Sequence, residues 1–273
     1  MLLAMPIWYG EKKYISCEIV KPKGRVLADT KKIFDNGNPF LAMHHFIASC
    51  IVKLSDDNGE CISDQRLIKE ITRELKQKAA EKLAIDIMLL YDDNDAVEGV
   101  YNCPRCKNII VCENTLDYDT RDHISDLKVN IFDKEIDCFD INLNETFLIK
   151  DKKGEILQEI NSISFRHNTI NDVIDAYARY GMADKTRMQY LLYVKAMKKI
   201  NNEDIDNTWR KVWGLYIFEE YDNINDINKI AKEMNKYGID TKVEKQCNKC
   251  GKIFEVNLNT ANFFGSALPS DEM

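Results

Sequence analysis

Tyr101-Asn102-Cys103-Pro104-Arg105-Cys106 and Cys247-Asn248-Lys249-Cys250-Gly251 are the two stretches that decide how this chain is read. Each puts two thiols on one tight turn, a spacing that lets both sulfurs reach a single ion. Two such turns complete the tetrahedral thiolate shell that zinc prefers. Gly251 stands where such a turn commonly takes a positive φ angle. Each turn follows extended-looking residues and leads into a β-like segment, Asn108 to Cys112 and Ile253 to Leu258. The expectation is one Zn2+ held by Cys103, Cys106, Cys247 and Cys250, in a zinc ribbon whose halves lie far apart in the chain.

The halves are separated by about 140 residues, and closing such a loop costs on the order of 4 to 5 kcal/mol of chain entropy. Structural zinc contributes about 10 to 16 kcal/mol in small peptides, so the ion outweighs the closure. The competing readings are unconnected buried thiols or two redox dithiols. A thioredoxin-type dithiol opens a helix, whereas both pairs here run into strands. Cys17, Cys50, Cys61, Cys112 and Cys138 lack ligand spacing and read as packing residues.

Outward from the cysteines, 273 residues with 45% hydrophobic and 30% charged content suffice to bury a core in one or two domains. Leu83 to Tyr91 is the longest kind of apolar run, too short for a membrane span. Nine cysteines are an odd number in a long chain, which argues for reduced thiols. Met1 to Tyr9 reads as a first strand and not as an export signal. The formal net charge of −7 disfavours a phosphate-driven nucleic-acid binder, although Arg105, Lys107, Lys249 and Lys252 offer a small basic face beside the cysteines.

The pattern predicts an α+β fold. Residues 1–98 form an N-terminal α+β region: a hairpin turning at Lys21-Pro22-Lys23-Gly24, a helix from Pro39 to Leu54, and the longest helix from Ser63 or Asp64 to Leu90. Residues 99–114 plus 244–265 form the split ribbon. Residues 115–243 form an insert of strands (127–131, 138–143, 147–150, 163–166) and then helices (170–180, 183–200, 204–221, 224–237). Thr169 and Asn202 are the expected caps of the first and third, and Gly238 the stop of the last. Trp209, Val212, Trp213, Tyr216, Ile217, Ile224, Ile227, Ile230 and Met234 are the expected helical core. Residues 266–273 are a C-terminal tail.

No phosphate loop, nucleophile elbow or HExxH spacing is present. His44-His45 sits in an apolar helix pattern and reads as core or helix surface; His123 and His167 have no partner in the sequence. A closed four-thiolate shell also leaves no position for substrate, which speaks against a metalloenzyme. Phe263-Phe264, followed by Leu268-Pro269 and the acidic Asp271-Glu272, leave little chain in which to bury both rings. The pair is read as a partner contact, with packing back onto the ribbon or the N-terminal region as the alternative.

The order of features, from Ile87-Met88-Leu89-Leu90 through the first cysteine turn to Cys247-Asn248-Lys249-Cys250-Gly251, Phe254-Glu255-Val256 and Asn262-Phe263-Phe264-Gly265, resembles a known family. It is that of the baseplate and tail-assembly proteins of contractile-tailed phages, related to the T-even baseplate hub assembly protein. The resemblance implies a non-enzymatic role in tail morphogenesis, as baseplate component or hub chaperone. Hub, tube or tape-measure proteins would be its partners, in the host cytoplasm during assembly or in the virion tail baseplate. The insert is longer and more helical than a minimal member requires. A zinc-ribbon nucleic-acid adaptor is the alternative function.

Overall fold

The computed structural model describes residues 1–91, 96–97, 99–112, 114–115, 118–119, 122–123, 127–181, 183–221 and 223–257. It is an α+β fold built on two four-stranded antiparallel sheets.

The first sheet has the order β1 (Leu2–Tyr9), β2 (Lys12–Ile19), β3 (Ile51–Asp56), β4 (Cys61–Ile62). β1 and β2 form a tight hairpin in which Tyr9 faces Lys12, and Gly10 supplies the positive φ of 61° that the turn requires. The expected turn at Lys21 to Gly24 is instead the start of a helix, α1 (Gly24–Asp35), which buries Leu27 and Thr30. Its few buried positions made the apolar stripe too thin to read.

Asn38 Oδ1 accepts from the Leu41 amide at 2.9 Å and opens α2 (Pro39–Cys50). Pro39 sits where a helix needs no N–H. The helix does not reach Leu54. The backbone becomes extended at Ile51 (φ −83°, ψ 123°), and Ile51 to Asp56 pair with β2, Leu54 facing Cys17. β-branched Ile51 and Val52 favour the strand, and the apolar spacing there fits both elements.

The long helix is likewise divided, into α3 (Gln65–Ile71), capped by Asp64 as expected, a 3-10 turn at Thr72–Glu74, and α4 (Gln77–Tyr91). At the break the Leu75 carbonyl accepts from Ile170 N at 2.8 Å, and Gln77 N donates to the Asn168 carbonyl at 2.9 Å. Ile68, Ile71, Leu75, Ala79, Leu83 and Ile87 are all buried, so the stripe is continuous while the backbone is not. Nothing among the described residues forms a helix long and apolar enough to cross a membrane.

After the hairpin of β5 (Gly99–Asn102) and β6 (Ile109–Cys112), the second sheet has the order β7 (Phe139–Lys150), β8 (Ile156–Phe165), β9 (Met197–Ile200), β10 (Glu203–Asp204). The expected strands 138–143 and 147–150 are one strand with an irregularity between Asn142 and Phe147. The turn at Lys152-Lys153-Gly154 is present: Asp151 Oδ1 accepts from the amides of Lys153 and Glu155 at 2.8 and 2.9 Å. Of the expected strand 127–131, Val129–Asn130 pairs with Gly238–Ile239.

Thr169 caps α5 (Ile170–Tyr180), as expected, and the structure adds that Asp172 completes a reciprocal capping box with it. α6 (Lys185–Ala196) stops before 200, because Met197 to Ile200 enter the sheet as β9. Asn202 lies in a turn with φ 69°, and Asp206 caps the next helical stretch in its place, accepting from Trp209 N at 2.6 Å. That stretch passes through a π turn at Arg210–Gly214 into α7 (Leu215–Glu220). Gly214 is required there, since a Cβ would stand 2.4 Å from Val194 Cγ1. α8 (Ile224–Met234) ends ahead of Gly238. Val212 and Ile224, expected in the core, are 58% and 61% exposed; Ile217, Phe218, Ile230 and Met234 fill that core. The last hairpin joins β11 (Lys242–Gln246) to β12 (Ile253–Asn257).

Candidate metal centre

The two cysteine turns each join the strands of one hairpin and share one geometry. In the first, Asn102 faces Ile109 across the strands, Cys103 N donates to the Asn108 carbonyl at 2.9 Å, and Lys107 N donates to the Cys103 carbonyl at 2.9 Å. In the second, Gln246 faces Ile253, Cys247 N donates to the Lys252 carbonyl at 2.9 Å, and Gly251 N donates to the Cys247 carbonyl at 2.9 Å. The residue after the second cysteine is left-handed in both, Lys107 at φ 58° and Gly251 at φ 68°. Glycine at 251 signalled this turn in the sequence, while Lys107 adopts the same conformation without that signal. A side-chain bond fastens the turns together, Asn108 Nδ2 donating to Asn248 Oδ1 at 2.8 Å.

This doubling brings the four sulfurs of Cys103, Cys106, Cys247 and Cys250 within 4.8 Å of one another. The closest pairs cross between the turns, Cys103 to Cys250 and Cys106 to Cys247, each at 3.6 Å. A metal–sulfur bond of about 2.3 Å sets tetrahedral edges of about 3.8 Å, so the cluster has the dimensions of a four-thiolate metal shell. Tetrahedral sulfur of this kind suits zinc or iron. Cys103 and Cys247 are buried; Cys106 and Cys250 are half-buried.

The amides of Cys106 and Arg105 lower the pKa of the Cys103 thiol. Burial pushes Cys247 up, but the amides of Cys250 and Lys249 outweigh it and bring that thiol to about 6. The amide of Lys252 favours the Cys250 thiolate, yet burial and the other three sulfurs prevail and push it up to about 11. Four neighbouring thiolates repel one another, and a dication among them removes the conflict.

The remaining sequence candidates separate clearly. Cys17 and Cys50 are buried packing thiols, each pushed up to about 11 by burial. Cys61 is exposed and, among the described residues, bonds to Ser55 and the Gly59 carbonyl. His44 is buried, with Nε2 3.2 Å from both the Lys69 carbonyl and Thr72 Oγ1, a core histidine as read. Phe263 and Phe264, with all of 258–273, lie outside the described residues.

The sequence did not reveal a buried polar cluster between the two sheets. Asp137 pairs with Lys76 and accepts from the His167 ring at 2.5 Å, and His167 Nε2 lies 3.2 Å from the Glu233 carbonyl. Burial opposes the charge on Asp137, but the His167 bond and the Lys76 ammonium hold its carboxyl at about 2. Beside it, Arg166 grips Asp172 through two bonds of 2.6 and 3.2 Å. Lys76, Asp137 and His167 come from distant points in the chain, so no spacing marks them. Comparison with protein-family models, curated proteins and solved structures finds no match to this chain.

Proposed function

We propose that the protein is a non-enzymatic assembly component of a contractile phage tail, stapled by one structural zinc ion in a split ribbon. The observation that carries the reading is the convergence of four thiols from 103–106 and 247–250 into one closed shell. Such a shell uses all four positions for protein ligands and serves structure better than turnover. The tail setting is supported by the resemblance in feature order and by the Phe263-Phe264 ending.

In this reading zinc fixes the N-terminal region, through β5 and β6, to the end of the insert, through β11 and β12. The tail after β12 then presents Phe263 and Phe264 to a hub, tube or tape-measure protein. Co-expression with each of these from one tail gene cluster tests the proposal. Wild type should co-purify with one of them, and Phe263→Ala with Phe264→Ala should lose that partner while keeping zinc and thermal stability. Failure to retain any of the three contradicts it.

A second reading, a nucleic-acid adaptor, is favoured by Arg105, Lys107, Lys249 and Lys252. All four are exposed at the cysteine turns, and none is in an ion pair among the described residues. Salt-sensitive retardation of DNA or RNA, lost on changing these four residues to glutamine, would decide for it.

A further inference from the structure

The first cysteine hairpin has two unlike faces. Tyr101 of β5 packs inward on the first core together with Val243 of β11, and Lys245 of β11 stands over the Tyr101 ring at 5.8 Å. Side chains alternate across a strand, so Val100 turns outward, and Ile109 shares that face because it sits opposite Asn102. Val100 is 66% exposed and Ile109 60%. Ile253, which takes the place of Ile109 in the second hairpin, is 54% exposed. Three aliphatic side chains thus stand in solvent beside the paired turns.

The turns themselves are basic. Residues 102–110 and 246–254 hold Arg105, Lys107, Lys249 and Lys252 and no acidic residue. All four cations are exposed, and none is in an ion pair among the described residues. Glu255, a little beyond Lys252, pairs with Lys242 at 3.4 Å. Four thiolates around a dication carry two negative charges, so the four cations leave this end of the ribbon positive even with the metal bound.

An occupant has to match both features. Nucleic acid answers the charge but not the aliphatic side chains: surfaces that bind single strands offer aromatic rings for bases to stack on, and no exposed residue of these turns is aromatic. The net charge of −7 also works against a long polyanion. A protein segment with carboxylates beside aliphatic residues meets both, through charge-assisted bonds at the rim and apolar contact within it.

We infer that the outer face of the paired cysteine turns is a docking surface for an acidic protein segment that carries aliphatic residues. Its carboxylates meet the four cations, and its apolar side chains meet Val100, Ile109 and Ile253. This contact is separate from Phe263 and Phe264 and needs only that the two turns stay paired.

A short dye-labelled peptide of glutamates interspersed with leucines is the probe, and the same peptide with serine for leucine is its control. Both are titrated against the full-length protein as purified, with zinc content measured in parallel. The leucine peptide should bind saturably, more tightly than the control, and shift the methyl signals of Val100, Ile109 and Ile253. Arg105→Glu with Lys249→Glu should weaken it at least about tenfold. Ile109→Ser with Ile253→Ser should bring it down to the control, and serves if the charge-reversed protein does not fold. Zinc content should be unchanged in both variants, so loss of the peptide is distinguishable from loss of the shell. No binding, binding unchanged in either variant, or displacement of the peptide by DNA or RNA that itself binds more tightly would each overturn the assignment.

Discussion

Cys103 Sγ and Cys250 Sγ lie 3.6 Å apart although 147 positions separate them in the chain. Under the proposed shared ion, losing any one of the four ligands opens the same shell. Cys103→Ser and Cys250→Ser should therefore each lower unfolding stability by several kcal/mol, on the order of the binding free energy that zinc adds to folding. The double variant should be no worse than either single one. Urea unfolding of the three proteins checks this, and additive losses would mean that the pairs do not share an ion.

The two turns should answer oppositely to substitution. Lys107 holds φ 58° at a cost that glycine avoids, whereas Gly251 holds φ 68° with open space where a side chain would begin, so the backbone angle alone decides the outcome there. Lys107→Gly is expected to raise stability, and Gly251→Ala to lower it, each by about 1 kcal/mol. Chelator competition should show metal affinity moving in the same two directions.

Acid should weaken the fold through His44. Burial holds this imidazole at about 4, below its ordinary 6.5, so the unfolded chain takes up the proton first as pH falls. The stability tied to neutral His44 is intact above pH 6.5. About 3 kcal/mol is lost as pH descends from 6.5 to 4. Denaturant unfolding across that range should show a shallower decline in His44→Gln than in wild type, and parallel curves would contradict the assignment.

The buried Lys76–Asp137 pair should behave as a lock between the sheets. Lys76→Met leaves the Asp137 carboxylate buried with only His167 opposite it, and should cost about 3 kcal/mol. Adding Asp137→Leu should recover much of that loss, because removing both charges also removes the desolvation penalty. Thermal unfolding of the single and double variants measures the coupling.

The cysteine centre was legible because its chemistry is local: two sulfurs three residues apart on one turn, written twice. The first strand, a cap at Ser63 or Asp64 and the Thr169 cap were legible for the same reason. What failed depended on distant partners. Leu75 and Lys76 leave the helix because Asn168 and Ile170 claim the backbone around them, and Met197 to Ile200 become a strand because β8 is waiting with Ile163 and Ser164. Apolar spacing reports which residues are buried, and at Cys50 to Leu54 it fits a helix and a strand equally. The Lys76, Asp137 and His167 cluster lies beyond any such reading, since only the tertiary fold brings it together.

The most direct test of the central claim is elemental analysis of the purified, unoxidised full-length protein, expressed with ample zinc. One zinc per chain is the predicted result, absent from a variant with Cys103 and Cys250 both changed to serine. A stoichiometry near zero in the folded wild type, or zinc retained by that variant, would contradict it.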